Sequence, residues 1–251
     1  MLILLPPSEG KAPEGSGPPF GDLSFPALDK PRKRVLAALV KASRRRDALD
    51  VLGLTPGLAG ELAKNLALRT APALPAADLY TGVLYDNLGL GTLEGEARRR
   101  AEESVLIFSG LWGVLRITDR VPPYRLSMGV NLPPVGALAA FWRPTISKEL
   151  DRLPGLVVDL RSGTYAGAWQ PGERSVAVRV FRDGKVVSHM AKATRGEIAR
   201  TLLRTGADPA TPDQLAKVLS DLGHAVHLTE PPRTGRPWTL DVEVGEPAPA
   251  R

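Results

Sequence analysis

Three short apolar runs constrain this chain more than any other feature: Met1 to Leu5, Val105 to Phe108 and Leu156 to Leu160, the last carrying a single acid at Asp159. Each is four or five residues long with no apolar–polar alternation, the pattern of a strand covered on both faces. Such strands need helices above and below them, and helical patterns fill the intervals. Val35 to Val40 is apolar on one side and cationic on the other, and Glu94 to Glu103 is a charged helix. Thr55 to Leu66 begins with a capping threonine and a proline, and carries leucine at 58, 62 and 66. Phe141 to Leu153, Ala193 to Leu203 (closed by Gly206) and Thr211 to Leu222 (capped by Thr211) complete the helices. Ser175 to Val180 and Lys185 to Ser188 flank Arg182-Asp183-Gly184, and the Asp-Gly pair predicts a tight hairpin. Ala225 to Leu228 and Trp238 to Val244 read as late strands. The order is not a clean βαβ alternation. It predicts an α/β fold, a mixed β-sheet flanked by helices, in one compact domain over 1–245 with a flexible tail over 246–251.

The sequence excludes several kinds of chemistry. With no cysteine there is no disulfide, thiolate zinc site, iron–sulfur cluster or cysteine nucleophile. The three histidines are His189, His224 and His227, and the last two fall on opposite faces of a strand. No metal site and no cofactor is therefore expected, and only carboxylates could serve as iron ligands. Met1 to Leu5 lacks a basic flank and runs into two prolines, unlike a signal peptide. No apolar run approaches the roughly 20 residues that cross a bilayer. The expected setting is cytoplasmic, with no membrane partner.

Charge is distributed unevenly. The net charge is +6 despite 27 acidic residues, and the excess is local. Lys30, Arg32, Lys33, Arg34, Lys41, Arg44, Arg45 and Arg46 occur in one stretch that contains no acid. Such a stretch is either a solvated helix face or the electrostatic footprint of a polyanion. Arg98 to Arg100 differ, because Glu94, Glu96, Glu102 and Glu103 surround them at salt-bridging spacing. Just after the cationic stretch, Pro56-Gly57-Leu58-Ala59-Gly60 places two glycines three apart, ahead of Lys64. A glycine-bearing turn at a helix start can offer backbone amides to a DNA phosphate, as a helix-hairpin-helix element does.

Three segments carry the groups for a site. Pro6-Pro7-Ser8-Glu9-Gly10-Lys11 leaves the first strand with a hydroxyl, a cation and free amides, without the spacing of a P-loop. Ser109 to Arg116 and Pro123 to Gly129 combine Arg116 and Arg125 with Trp112 and Tyr124, which form either the wall of a phosphate site or plain core with arginines at its rim. Asp159, Ser162, Tyr165 and Lys192 follow later buried elements. Because loop ends cluster on one side of a sheet, Ser8, Lys11, Arg116, Tyr124 and Arg125 are expected to lie together.

The N-terminal run through Lys11, the Leu79-Tyr80-Thr81-Gly82 turn, and the Ser109 to Arg116 and Pro123 to Gly129 runs together resemble the YaaA family of peroxide stress proteins. Phe141-Trp142, Val158-Asp159-Leu160 with Ser162 and Tyr165, and Lys192 to Gly196 follow in that family's order. Where family members carry adjacent lysines, this chain has Ala191-Lys192-Ala193-Thr194-Arg195, so only Lys192 and Arg195 carry over, and Leu52 to Leu66 diverges. The resemblance implies a positively charged cleft, a helix-hairpin-helix-like element, DNA binding and a role in limiting iron-linked oxidative damage. The first expectation is a protein that binds double-stranded or structured DNA through Lys33, Arg34, Lys41, Arg44, Arg45, Arg46, Gly57, Gly60, Lys64 and the cleft arginines. The alternative is an enzyme acting on a small phosphorylated or nucleotide-like ligand. It would use Ser8, Lys11, Ser109, Arg116, Tyr124, Arg125, Asp159, Ser162, Tyr165, Lys192 and Arg195.

Overall fold

A computed structural model describes residues 1–182, 185, 186 and 188–244. The Asp183-Gly184 turn and the tail over 246–251 lie outside the described residues. The three apolar runs are indeed the middle of the sheet: β1 (Leu2–Leu5), β3 (Val105–Ser109) and β8 (Val157–Asp159), with Ile3, Leu4 and Leu5 fully buried. β1 pairs in parallel with β3 on one side and with β8 on the other. β9 (Ser175–Arg182) continues the parallel set beside β8. β12 (Trp238–Glu243) is parallel to β9, and β11 (Ala225–Thr229) closes that edge antiparallel. β4 (Gly113–Arg116) folds back on β3 as the opposite edge, and β10 (Lys185–Val186) pairs antiparallel with β9. Two small ribbons, β2 (Leu74–Pro75) with β5 (Arg120–Val121) and β6 (Asn131–Leu132) with β7 (Gly136–Ala137), lie outside the main sheet. The sheet is mixed, as its sequence order requires.

Helices cover it. α1 (Asp29–Ser43) buries Val35, Leu36 and Leu39, leaving Lys33, Arg34 and Lys41 exposed. Arg32 departs from the solvated-cation reading. It is only 3% exposed, its Nε donates to the Trp112 carbonyl and one terminal nitrogen to that of Val114. A buried guanidinium persists only when its donors are satisfied, so Arg32 fastens α1 to the β3–β4 hairpin and is lost to any polyanion surface. α6 (Gly95–Ser104) is the salt-bridged helix expected, with Arg98 on Glu102 and Arg99 on Glu96 and Glu103. α7 (Leu138–Leu150) begins and ends three residues earlier than the sequence pattern suggested, leaving Leu153 half-buried beyond its end. α9 (Ser188–Thr205) and α10 (Pro212–Asp221) follow; the Thr211 side chain accepts from the Gln214 amide as a cap.

The stretch from Thr55 to Leu66 is not one helix. A single 3-10 turn at Pro56–Leu58 separates α2 (Ala48–Leu52) from α3 (Glu61–Ala67), and Leu66 is 43% exposed. Two glycines inside one turn each cost a helix about 1 kcal/mol, and the stripe gains little burial to offset that: Leu62 packs half-buried on the core while Leu66 stays exposed. The residue α3 buries is instead polar: Asn65, at 0% exposure. Three short helices remain: α4 (Ala76–Leu79), α5 (Val83–Leu88) and α8 (Gly163–Ala166). Among the described residues no helix is long and apolar enough to cross a membrane.

Candidate functional site: a cationic cleft at the strand ends

The chain leaves β1 toward β3 on one side, and leaves β8 toward β9 on the other. Adjacent parallel strands whose connections diverge open a crevice at their C-terminal ends, the usual ligand position in open α/β sheets. A cleft of about 540 Å³ lies there. One wall is the loop after β1 (Pro6 to Lys11) and another the loop after β8 (Ser162, Thr164, Tyr165). Arg125 to Ser127, the start of α5, and Lys192 and Arg195 from α9 complete it.

Local structure pins each group. The β1 exit loop is held by backbone pairing with the turn before α5: Ala12 donates to Leu79, Thr81 donates to the Gly10 carbonyl, and Lys11 bridges Tyr80. The Tyr85 hydroxyl donates to the Pro6 carbonyl at 2.7 Å. Gly82, at φ 96°, turns the chain in a conformation that favours glycine, and a Cβ there would stand a tight 3.3 Å from the Ser8 hydroxyl. Arg125 is fixed through its backbone. The Asn65 side chain accepts from the Arg125 amide (2.9 Å) and donates to its carbonyl (3.0 Å), and the guanidinium pairs with Glu9.

Lys11 is strongly perturbed by its surroundings. Its ammonium donates to the Ser8 carbonyl at 2.7 Å and lies 4.5 Å from the Tyr124 ring centre and 5.5 Å from that of Tyr80. Those contacts favour the charged form, as do Glu61 and Glu9. Burial outweighs them, Arg125 and Lys64 add repulsion, and the pKa falls to about 7. Beneath Lys11 the Tyr124 hydroxyl links Tyr80 (2.9 Å) and Ser109 (2.6 Å), and the Ser109 hydroxyl accepts from the Trp112 amide. Burial pushes the Tyr80, Tyr85 and Tyr124 phenols well up, so they remain neutral donors. On the far wall, Arg195 donates one terminal nitrogen to the Val178 carbonyl, while its buried Nε has no acceptor. Burial lowers its pKa against the pull of Asp159.

Of the residues singled out from sequence, Ser8, Lys11, Arg125, Ser162, Tyr165, Lys192 and Arg195 line the cleft. Ser109 and Tyr124 lie under it as a hydroxyl network, and Trp112 is core. Asp159 is engaged bidentately by the buried Arg161. Arg116 does not join them. It pairs opposite Leu106, three residues back from the site end of β3, and its guanidinium donates to the Glu102 and Glu103 carbonyls. A hairpin returns the chain to the rim where it began, so Arg116 ends beside the start of β3, on the opposite rim from Ser109, and proximity in sequence misled. Asn65, Tyr80, Gly82, Tyr85 and Thr164 were not read as site residues. The Leu79-to-Gly82 turn was visible as a motif, but nothing local told that it closes on the β1 exit loop.

The residues that the sequence suggested for DNA lie elsewhere. Lys33, Lys41, Arg44 and Arg46 are exposed without ion pairs among the described residues; Arg34 stacks on Phe141, and Arg45 pairs with Asp47. Gly57 and Gly60 are exposed, and Lys64 is tied to Glu61.

Fold and cleft together define an α/β protein with a cationic, hydroxyl-rich crevice at the sheet's switch point. A family model described as peroxide stress protein YaaA matches residues 1–227. The chain belongs to this YaaA family. A UPF0246 protein of Streptomyces coelicolor is 53% identical over 258 residues, covering 98% of this chain and 99% of that protein. One from Corynebacterium efficiens is 41% identical, covering 97% and 100%, and an uncharacterized protein of Campylobacter jejuni is 30% identical, covering 78% and 82%.

Proposed function

We propose that the protein contributes to the peroxide stress response by binding a phosphate-bearing ligand of nucleotide size in the cleft. The observation that carries this reading is the gathering of Lys11, Arg125, Lys192 and Arg195 on one cleft, with the buried Arg195 Nε left without an acceptor of its own. Leaving such a donor unmade costs about 1–3 kcal/mol, a loss that an anionic oxygen removes. Lys11, Arg125 and Lys192 line the same space against the single carboxylate of Glu9, with the Ser8, Ser127, Ser162 and Thr164 hydroxyls between them. A volume of about 540 Å³ suits one nucleotide unit and is too small for a duplex.

The test is calorimetric titration of the wild-type protein, Lys192→Ala and Arg195→Ala with inorganic phosphate and a nucleoside monophosphate. A charge-assisted hydrogen bond is worth about 1.5–3 kcal/mol, so Arg195→Ala is expected to weaken binding by roughly tenfold to a hundredfold. Equal affinity in all three proteins contradicts the reading. A second reading, DNA binding, is favoured by the unpaired cations Lys33, Lys41, Arg44 and Arg46 around α1. It requires duplex affinity that falls steeply with salt, and a shallower slope when Arg44, Arg45 and Arg46 are replaced by alanine.

A further inference from the structure

Serving as one more cation of the proposed phosphate site does not account for the setting of Lys11. Arg125, Lys192 and Arg195 already supply positive charge to the cleft, and each sits at its rim or wall. Lys11 is set deeper, on a floor made by two tyrosine rings, with one hydrogen committed to the Ser8 carbonyl. We propose that the Lys11 amine is a nucleophile that condenses with the aldehyde of a ring-opened, phosphate-bearing sugar held in the cleft.

The geometry supplies what such a step needs. The Ser8 carbonyl takes one N–H, the Tyr124 and Tyr80 rings flank the nitrogen, and the residue lines the cavity. Arg125 stands close enough to disfavour a second positive charge beside it, and burial acts in the same sense. Around neutral pH about half of such amines are unprotonated, against a few in ten thousand for an ordinary lysine, a gain on the order of a thousandfold in nucleophile. The facing charges of Glu9, Glu61 and Lys64 are weaker influences and leave that balance in place. Meanwhile the phosphate of the same molecule has Lys192 and Arg195 to anchor it, which would hold the carbonyl near the amine.

The step balances without a redox partner. The nitrogen lone pair forms a C–N bond to the carbonyl carbon, the C=O π pair moves to oxygen, and a proton passes from nitrogen to that oxygen. The resulting carbinolamine expels its hydroxyl with a proton as water, leaving a C=N bond to Lys11. One amine and one aldehyde give one imine and one water.

The inference rests on the phosphate-binding reading, and the experiment separates the two. The full-length protein is incubated with 2-deoxyribose 5-phosphate and sodium cyanoborohydride, which delivers a hydride to the imine and fixes it as a secondary amine. Intact mass and peptide mapping then locate the adduct. One saturable adduct on Lys11 is expected, with labelling half-maximal near pH 7, competed by inorganic phosphate and lost in Lys11→Arg of unchanged circular dichroism. A parallel arm with a duplex oligonucleotide bearing one abasic site tells whether the sugar phosphate is free or within DNA; capture by Lys11 in either arm supports the proposal. Adducts scattered over surface lysines, or none on Lys11 in both arms, overturn it, whatever the phosphate titrations show. Equal capture of 2-deoxyribose lacking the phosphate would keep the nucleophile and remove the phosphate anchor.

Discussion

Gly196 lies in α9 where that helix crosses α5, and replacing it with alanine sets two effects of opposite sign against each other. Helix propensity alone favours alanine by about 1 kcal/mol. A Cβ on residue 196, however, would stand 2.2 Å from the Leu84 carbonyl oxygen and 3.0 Å from both the Asn87 Cβ and the Leu88 amide. The first of these is backbone of the facing helix, which cannot rotate away, so the helices must part by about 1 Å. Overpacking of this kind costs about 3 kcal/mol, the upper end of the usual range, because backbone rather than a side chain has to move. The net expectation is a loss of about 2 kcal/mol, which for a domain of this size lowers Tm by about 4–8 °C. Because α5 carries Tyr85 and α9 carries Lys192 and Arg195, the same separation should also weaken phosphate binding. Thermal melts of purified Gly196→Ala by circular dichroism or calorimetry give the answer. A Tm equal to or above that of the wild type would refute the close-packing argument and leave propensity as the deciding term.

Replacing Asn65 by alanine leaves the Arg125 amide and carbonyl without their partners, and a loss of about 2–4 kcal/mol in denaturant unfolding is expected; a change under 1 kcal/mol would show that Arg125 is held by other means. Lys11 should also make stability depend on pH. Folded, it is neutral above about 7, whereas in the unfolded chain it stays protonated up to its ordinary 10.5. Over that interval the unfolded state binds more protons, so stability rises with pH from about 7 until the raised tyrosines reverse the trend near 10. Lys11→Met should remove the rise, and parallel stability–pH curves for the two proteins would show that the folded lysine is not held neutral.

The parts of the fold that sequence announced are those governed by local pattern. Short apolar runs without alternation could only be central strands, and Thr211-Pro212 could only begin a helix. The charged α6 was equally plain, because its partners lie three and four residues apart. Sequence failed where a long-range partner decides. Arg32 looked like its neighbours, and only the Trp112 and Val114 carbonyls, eighty residues away, make it structural. Asn65 sat in an apparent leucine stripe, yet it became the buried residue because Arg125 needed a backbone partner there. Arg116 was read as part of the site because hairpin register was not visible. The cleft's two principal loops, by contrast, were both picked out, since each directly follows a recognisable buried strand.

The central claim is that the cleft, and not the cationic edge around α1, is where a phosphate binds. Amide chemical-shift mapping of the isotopically labelled protein, titrated with inorganic phosphate, tests it most directly. Saturable shifts are expected at Ser8, Gly10, Lys11, Gly82, Arg125, Ser162 and Thr164, the amides around the crevice. Shifts confined to residues 33–46, with the crevice amides unmoved, would contradict the account.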